Sequence, residues 1–190
     1  MRWEDFRWGV KLRDGTGCLM RPIGRRDATR LHQFFQAVSE EERLFLKQPV
    51  FDRSLFEQWC RYAGFERSLP LILLHRDKII VEACLHRCLG GWKRHIGLVT
   101  VLTHPDYRGC DAARFLVAEL IETARTLGLR QLKAEFNGEC KVAIRTLEEM
   151  GFRRLLRLSD YVLDMRAVFH DYVLLGMDLR ANQEYAGAGE

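Results

Sequence analysis

No run of apolar residues in this chain approaches the roughly 20 needed to cross a bilayer. The opening stretch MRWEDFRWGVKLRDG sets charges among its aromatics where a signal peptide would be continuously apolar. These absences give the expectation of a soluble, unexported, cytoplasmic protein with no membrane partner. The six cysteines, at 18, 60, 84, 88, 110 and 140, form no CxxC pair and no regular short frame, so reduced thiols are expected. There is also no internal repeat, no low-complexity linker and no block of like charge. A net charge of +4 and a pI near 8.8 come from arginines spread along the chain. That balance suits anionic ligands, while the lack of a basic stripe or a recognised module leaves nucleic acid unexpected as a partner.

What is present is enough for a core. With 190 residues and 47% hydrophobic content, one domain over 1–180 is expected, with 181–190 as a disordered tail. GCLMRPI (17–23) reads as a strand. A helix follows from Asp27, read as its N-cap, with Ala28, Leu31, Phe34, Phe35 and Val38 at helical spacing. SEEERLF restarts a short helical turn, and SLFEQWCRYAG (54–64) a further helix. LPLILLHR (69–76), IIVEACLHRCL (79–89) and HIGLVTVLT (95–103) are three consecutive strands with short turns, a meander. From Asp111 to Leu127 the set Ala113, Leu116, Leu120, Ala124 and Leu127 predicts a helix stopped by Gly128. LRQLKAEF (129–136) reads as a strand, KVAIRTLEEM (141–150) as a helix, and 152–165 and 169–179 as the last two strands. A strand, helix, strand unit around residues 107–114 implies one parallel neighbour pair in an otherwise antiparallel sheet.

The turn YRGCDAAR (107–114) carries the chemistry. The first amides of a helix lack intrahelical partners and sit at the positive end of its dipole, so such a turn can cradle a phosphate. Asp111 stands where an anion would lie. As an N-cap its carboxylate would accept the amide of Ala113 or Arg114, for about 1 kcal/mol. Facing a phosphate at about 4 Å, it would instead repel it by on the order of 4 kcal/mol at an effective dielectric near 20. Cys84, His86 and Cys88 alternate on one strand face, but without a fourth ligand or a CxxC spacing they give no expectation of a metal.

The element order, together with THPDYRGCDAARFLVAELIETARTLGL and CKVAIRTLEEMGF, resembles the GNAT superfamily of acyl-CoA-dependent N-acyltransferases. The resemblance runs from about Leu19 to Leu179. It implies an α/β fold of GNAT type, a mixed and mostly antiparallel twisted sheet flanked by helices. It also implies acyl transfer from acetyl-CoA, or a similar acyl-CoA, to an amine acceptor, with no metal; a homodimer is allowed. In the superfamily loop R/Q x x G x G/A, Arg108 matches the first position and Ala113 the last, and Asp111 replaces the first glycine.

By that resemblance the backbone of Val101, Leu102 and Thr103 would pair with the pantetheine arm. The amides of Gly109, Cys110, Asp111, Ala112, Ala113 and Arg114, with the Arg108 and Arg114 side chains, would hold the pyrophosphate. Many members carry an Asn and a Tyr where Cys140 and Leu147 stand here, and relatives with the same HxG strand opening often carry an acid where Leu98 stands. A base must come from elsewhere: Glu135 is preferred, His95 second, and Glu82 is a further strand carboxylate that qualifies if it faces the cleft. Trp59, Tyr62 and Phe65, at helical spacing, read as core or cleft wall, and by the resemblance their segment would shape the choice of acceptor. The four departures, at 98, 111, 140 and 147, keep a second reading open, a GNAT-shaped binding or sensor module.

Overall fold

The apolar positions of residues 69–74 and 79–85 fall on both faces of their strands, so a sheet built from them has to be covered on both sides. The computed structural model does this with one eight-stranded sheet between two helical layers. It describes residues 3–39, 42, 53–61 and 66–180. Tyr62, Phe65, the tail 181–190 and most of SEEERLF lie outside the described residues.

The elements in chain order are β1 (Trp8–Lys11), β2 (Gly17–Pro22), α1 (Ala28–Ala37), α2 (Arg53–Arg61), β3 (Ser68–His75), β4 (Lys78–Arg87), β5 (Ile96–Thr103), α3 (Ala112–Thr126), β6 (Gln131–Asn137), α4 (Lys141–Glu149), β7 (Arg153–Leu163) and β8 (Phe169–Asp178). The strand order is β1-β2-β3-β4-β5-β6-β8-β7. Every neighbouring pair is antiparallel except β5 and β6, as the strand, helix, strand reading requires. β1 lies in the lead-in, where no strand is expected; its residues are mostly exposed, and pairing with β2 holds it in extended form. Among the described residues, no helix is long and apolar enough to cross a membrane.

Leu116, Leu120 and Ala124 of α3 and Ile144 and Leu147 of α4 pack on one face of the sheet, against Leu71, Val81, Ala83, Leu85 and Val99. On the other face Leu31, Phe34 and Phe35 of α1 and Phe56 of α2 cover Ile72, Leu74 and Ile79. The β2–α1 junction is fixed by Asp27, at the N-cap position but not through the expected capping bond. Its buried carboxylate accepts from both Arg21 guanidinium nitrogens at 2.6 and 2.7 Å and from the Gly24 amide at 2.7 Å. The carboxylate thus clamps the strand to the helix entry, because Arg21 lies within reach and would otherwise be left part-buried without a counter-ion.

The parallel pair is short. Ile96, Gly97 and Leu98 stand beside Gln131, Leu132 and Lys133, and beyond them β5 stays with β4 while β6 stays with β8. Close approach over those three residues depends on Gly97, where an added Cβ would stand 2.7 Å from a Leu85 methyl and 2.9 Å from Leu129 and Leu132 methyls. Replacing Gly97 with Ala is expected to lower stability by about 1–3 kcal/mol through overpacking. Calorimetry reads this as a reduced melting temperature, and an unchanged value would show that the two strands have room to move apart.

Candidate active site

Where β5 leaves β6, the edge of β5 from Val99 to Thr103 is paired on one side only. Its β4 side is occupied, with Ala83, Glu82 and Val81 opposite Val101, Leu102 and Thr103. The other side offers free backbone groups to an extended ligand, as an exposed strand edge does. All three residues named for that role in the sequence therefore lie together at the opening.

The strand runs directly into the phosphate-type turn. The His104 amide donates to Ile80 O, and Pro105–Tyr107 form a single 3-10 turn capped by His104, whose Nδ1 accepts from the Asp106 amide at 3.2 Å. Burial, then the charge of Lys78, holds the His104 pKa below its ordinary value, so the ring stays neutral and serves as a cap. Gly109 and Asp111 both adopt positive φ, 77° and 61°. This reversal leads into α3 and leaves the amides of Gly109, Cys110, Asp111, Ala112 and Ala113 without an acceptor among the described residues. The glycine of the superfamily pattern would supply a left-handed residue at 111 at no steric cost; Asp, with Asn, tolerates that region better than most side chains.

The capping expectation for Asp111 is corrected by the structure. The residue occupies the N-cap position, but its carboxylate makes no capping bond. In the left-handed conformation its side chain turns to the arginines, accepting from Arg114 Nε at 3.1 Å and lying 3.3 Å from Arg13 Nη2. Arg114 also pairs with Glu149, and Arg108 with Glu42. Three arginines thus surround the turn, each held by a carboxylate. Arg13, Glu42 and Glu149 were not legible as part of this site, because they lie far from the turn in sequence.

On the sheet face below α1 the alternation of β4 brings out Glu82, Cys84 and His86, since Val81, Ala83 and Leu85 point into the α3 core. Glu82 stands opposite Leu102, which packs against the α1 and α2 cluster, so the carboxyl faces the same side, one residue across from the open β5 edge. No hydrogen-bond partner holds it among the described residues, and burial alone pushes its pKa up to about 7. It retains some accessible surface, so the group is deep but reachable. Cys84 is different: burial and the neighbouring Glu82 charge raise its thiol well above the ordinary value, so it stays protonated. His86 bridges Ser68 Oγ and Thr100 Oγ1, each at 3.2 Å. Among the described residues no group of three or more His, Cys, Asp or Glu side chains is arranged for a metal.

Of the two bases preferred from sequence, neither is placed as Glu82 is. Glu135 lies just past the last β5–β6 pair, but Lys133 Nζ binds its carboxylate at 2.6 Å. Burial, then the Glu135 charge and hydrogen bond, raises the phenol of neighbouring Tyr172. His95 sits at the closed end of the pair, its carbonyl accepting from the amides of Arg130 and Gln131, away from the opening. Leu147 is buried in the core, and Cys140 is a thiol whose pKa is raised, by burial first and by Glu42 next.

The family model for the Acetyltransferase (GNAT) family matches residues 31–152, well over half of the chain. The chain belongs to the GNAT acetyltransferase family. Solved structures agree at the level of fold. The GNAT domain of S. lividans PAT is 22% identical, with a TM-score of 0.75 over 93% of this chain and 97% of that one. The ribosomal-protein-S5-alanine acetyltransferase of Vibrio fischeri is 15% identical, with a TM-score of 0.77 over 92% and 97%. The Salmonella typhimurium protein yncA, solved with its cofactor acetyl-CoA, is 14% identical, with a TM-score of 0.72 over 85% and 94%. No curated protein matches the chain by sequence.

A carboxyl raised by burial carries a stability signature. Folding favours its protonated form, so the folded chain binds the extra proton between pH 4.5 and about 7, and stability falls as pH rises through that window. Glu82→Gln is expected to equal the native chain in stability near pH 4 and to exceed it by ~1–3 kcal/mol at pH 8. Denaturant unfolding at the two pH values measures this; an equal difference at both would mean that Glu82 is solvated.

Proposed function

We propose that this GNAT protein is an N-acetyltransferase that moves an acyl group from acetyl-CoA, or a similar acyl-CoA, to a primary amine. The observation that carries the reading is Glu82, a carboxyl with no hydrogen-bond partner among the described residues and a pKa of about 7, on the face beside the open edge of β5. Neighbours by fold act, by their names, on ribosomal-protein alanine and on spermidine, both amine-bearing acceptors. The six free cysteines suit a reducing compartment such as the cytoplasm.

In this mechanism the backbone of Val101, Leu102 and Thr103 pairs with the pantetheine arm as an added strand would. The amides from Gly109 to Ala113 take the pyrophosphate, with Arg108 and Arg114 released from Glu42 and Glu149 to meet it. Glu82, ionised above about pH 7, accepts a proton from the incoming ammonium, directly or through water. The freed lone pair forms the C–N bond at the thioester carbonyl. The C–S bond breaks, the CoA thiolate departs, and the nitrogen, now bonded to the acyl carbon, gives its second proton to solvent. The position of the superfamily tyrosine holds buried Leu147, so that thiolate takes its proton from solvent.

Asp111 favours a second reading. Its carboxylate lies in the anion-facing turn, and Arg108 and Arg114 already have counter-ions, which together lower the affinity for a pyrophosphate. A GNAT-shaped binding or sensor module would tolerate that.

Acetyl-CoA titration of the melting temperature separates the two. A ligand at a hundred times its dissociation constant adds ~2.7 kcal/mol of stability. The enzyme reading predicts a clear rise and release of free CoA thiol with an amine acceptor. It also predicts that Glu82→Gln lowers turnover by about 10²–10⁴-fold and abolishes the rise of rate through pH 7; no thermal shift at millimolar acetyl-CoA would rule out that donor. Asp111→Gly is expected to tighten acetyl-CoA binding about tenfold or more, since it removes a like charge while keeping the positive φ accessible. Calorimetric titration measures it, and weaker binding would mean that Asp111 helps to hold Arg114 for the ligand.

A further inference from the structure

One end of the sheet carries its cations unpaired. Arg67 precedes β3, Arg87 ends β4, Lys93 and Arg94 stand in the β4–β5 turn, and Arg130 precedes β6. The backbone ties these positions together: the Arg87 amide donates to Arg67 O at 2.7 Å, the Ile96 amide to Lys93 O at 3.0 Å, and the Arg130 amide to His95 O at 2.9 Å. None of these side chains has an ion-pair partner among the described residues, whereas Arg108, Arg114, Arg125, Arg154 and Arg157 elsewhere each hold a carboxylate. The acids on these strand ends are Glu66 and Asp178, and Asp178 is already held by Arg180. Four neighbouring strand ends, about 4.8 Å apart, make a basic face about 15 Å wide. Its members are far apart in the chain, so no basic stripe is legible in the sequence.

The turn between β4 and β5 projects from that face. An added Cβ at Gly90 or Gly91 would meet nothing within 4 Å, so the turn stands clear of the fold. At its tip are Leu89, 49% exposed, and Trp92, at 83% the most exposed large hydrophobic side chain among the described residues. Lys93 Nζ lies 5.1 Å from the Trp92 ring centroid, so charge and aromatic surface are presented together.

An apolar tip set in a basic face is complementary to an anionic bilayer. Tryptophan settles at the level of the lipid headgroups, and lysine and arginine keep their heads among the lipid anions while their stems cover apolar surface. A nucleic acid would also satisfy the cations, and its bases could stack on Trp92. It offers nothing to Leu89, however, and this tip is convex where single strands are held in a groove. We infer that this end of the sheet docks on an anionic lipid surface, with Leu89 and Trp92 at the headgroup level and Arg67, Arg87, Lys93, Arg94 and Arg130 against the lipid anions. Such a contact is peripheral and needs no spanning helix. β5 runs from this face at Ile96 to the anion turn after Thr103, about 25 Å away, so docking leaves the candidate active site facing water.

The test is co-sedimentation of the full chain with phosphatidylcholine vesicles containing about 30% phosphatidylserine, beside vesicles of phosphatidylcholine alone, in about 0.1 M salt. The native chain is expected to bind the anionic vesicles at least about tenfold more tightly than the neutral ones. Arg94→Glu is expected to weaken that binding about tenfold. Arg76→Glu, the same charge change at the opposite end of the sheet, is expected to leave it unchanged. Trp92→Ala is expected to weaken it several-fold and to remove the blue shift of tryptophan emission on binding, with melting temperatures confirming that each variant is folded. No binding to the anionic vesicles, equal binding to both kinds, or equal weakening by Arg76→Glu and Arg94→Glu would overturn the inference. So would unchanged binding by Trp92→Ala. Tighter binding to a mixed-sequence RNA at the same phosphate concentration, lost in Arg94→Glu, would overturn it as well and assign the face to nucleic acid.

Discussion

β5 and β6 run in parallel for three residues and then separate, each drawn along by its other neighbour. β4 pairs with β5 from Gly97 to Thr103 and β8 pairs with β6 from Gln131 to Asn137, so each strand has a long antiparallel commitment that the short parallel contact cannot override. Twist between neighbouring strands turns those commitments into a wedge-shaped gap. Gly97 pins the closed end by letting three leucine side chains crowd the backbone. Above it, a half-paired strand edge leads into a turn with unsatisfied amides, and Glu82 lies on the flank of the same strand pair. On the proposed reading, donor arm, anion cradle and base share one frame because they share one defect in the sheet.

Electrostatics around the turn are arranged as internal substitution. Asp111, Glu42 and Glu149 serve as counter-ions to Arg13, Arg108 and Arg114. These pairs are part-exposed, where an ion pair contributes about 0–1 kcal/mol, so exchanging them for a phosphate costs little. Glu149 and Glu42 can swing away with their arginines. Asp111 cannot leave, since its own backbone forms the turn, and on the proposed reading it is this residue that sets how tightly an anion is held.

The elements were largely legible in the sequence, because periodicity reports burial. The 3.6-residue pattern of 112–126 and the runs at 69–75 and 96–103 have no stable alternative. β1 was not, since Trp8–Lys11 carries too short an alternation and is extended only because β2 lies beside it. The turn at 107–114 was legible as an anion site from the helix start and its arginines. The partners of those arginines were not, being 35 to 98 residues distant in the chain: Glu149 from Arg114, Glu42 from Arg108 and Asp111 from Arg13.

The choice of base marks the boundary most sharply. By itself the sequence determined that Glu82 and Glu135 sit on strands and that each alternates out of a buried apolar set, which is a matter of local geometry. Their surroundings in the folded chain set them apart. Glu135 acquires an ion pair from Lys133 two residues away on its own strand face, and β8 brings Tyr172 beside it. Glu82 is enclosed by β3, β5 and the layer above them without gaining a partner among the described residues, and a carboxyl stripped of water with no counter-charge beside it must raise its pKa. That outcome depends on what surrounds the residue in space, which no spacing along the chain encodes.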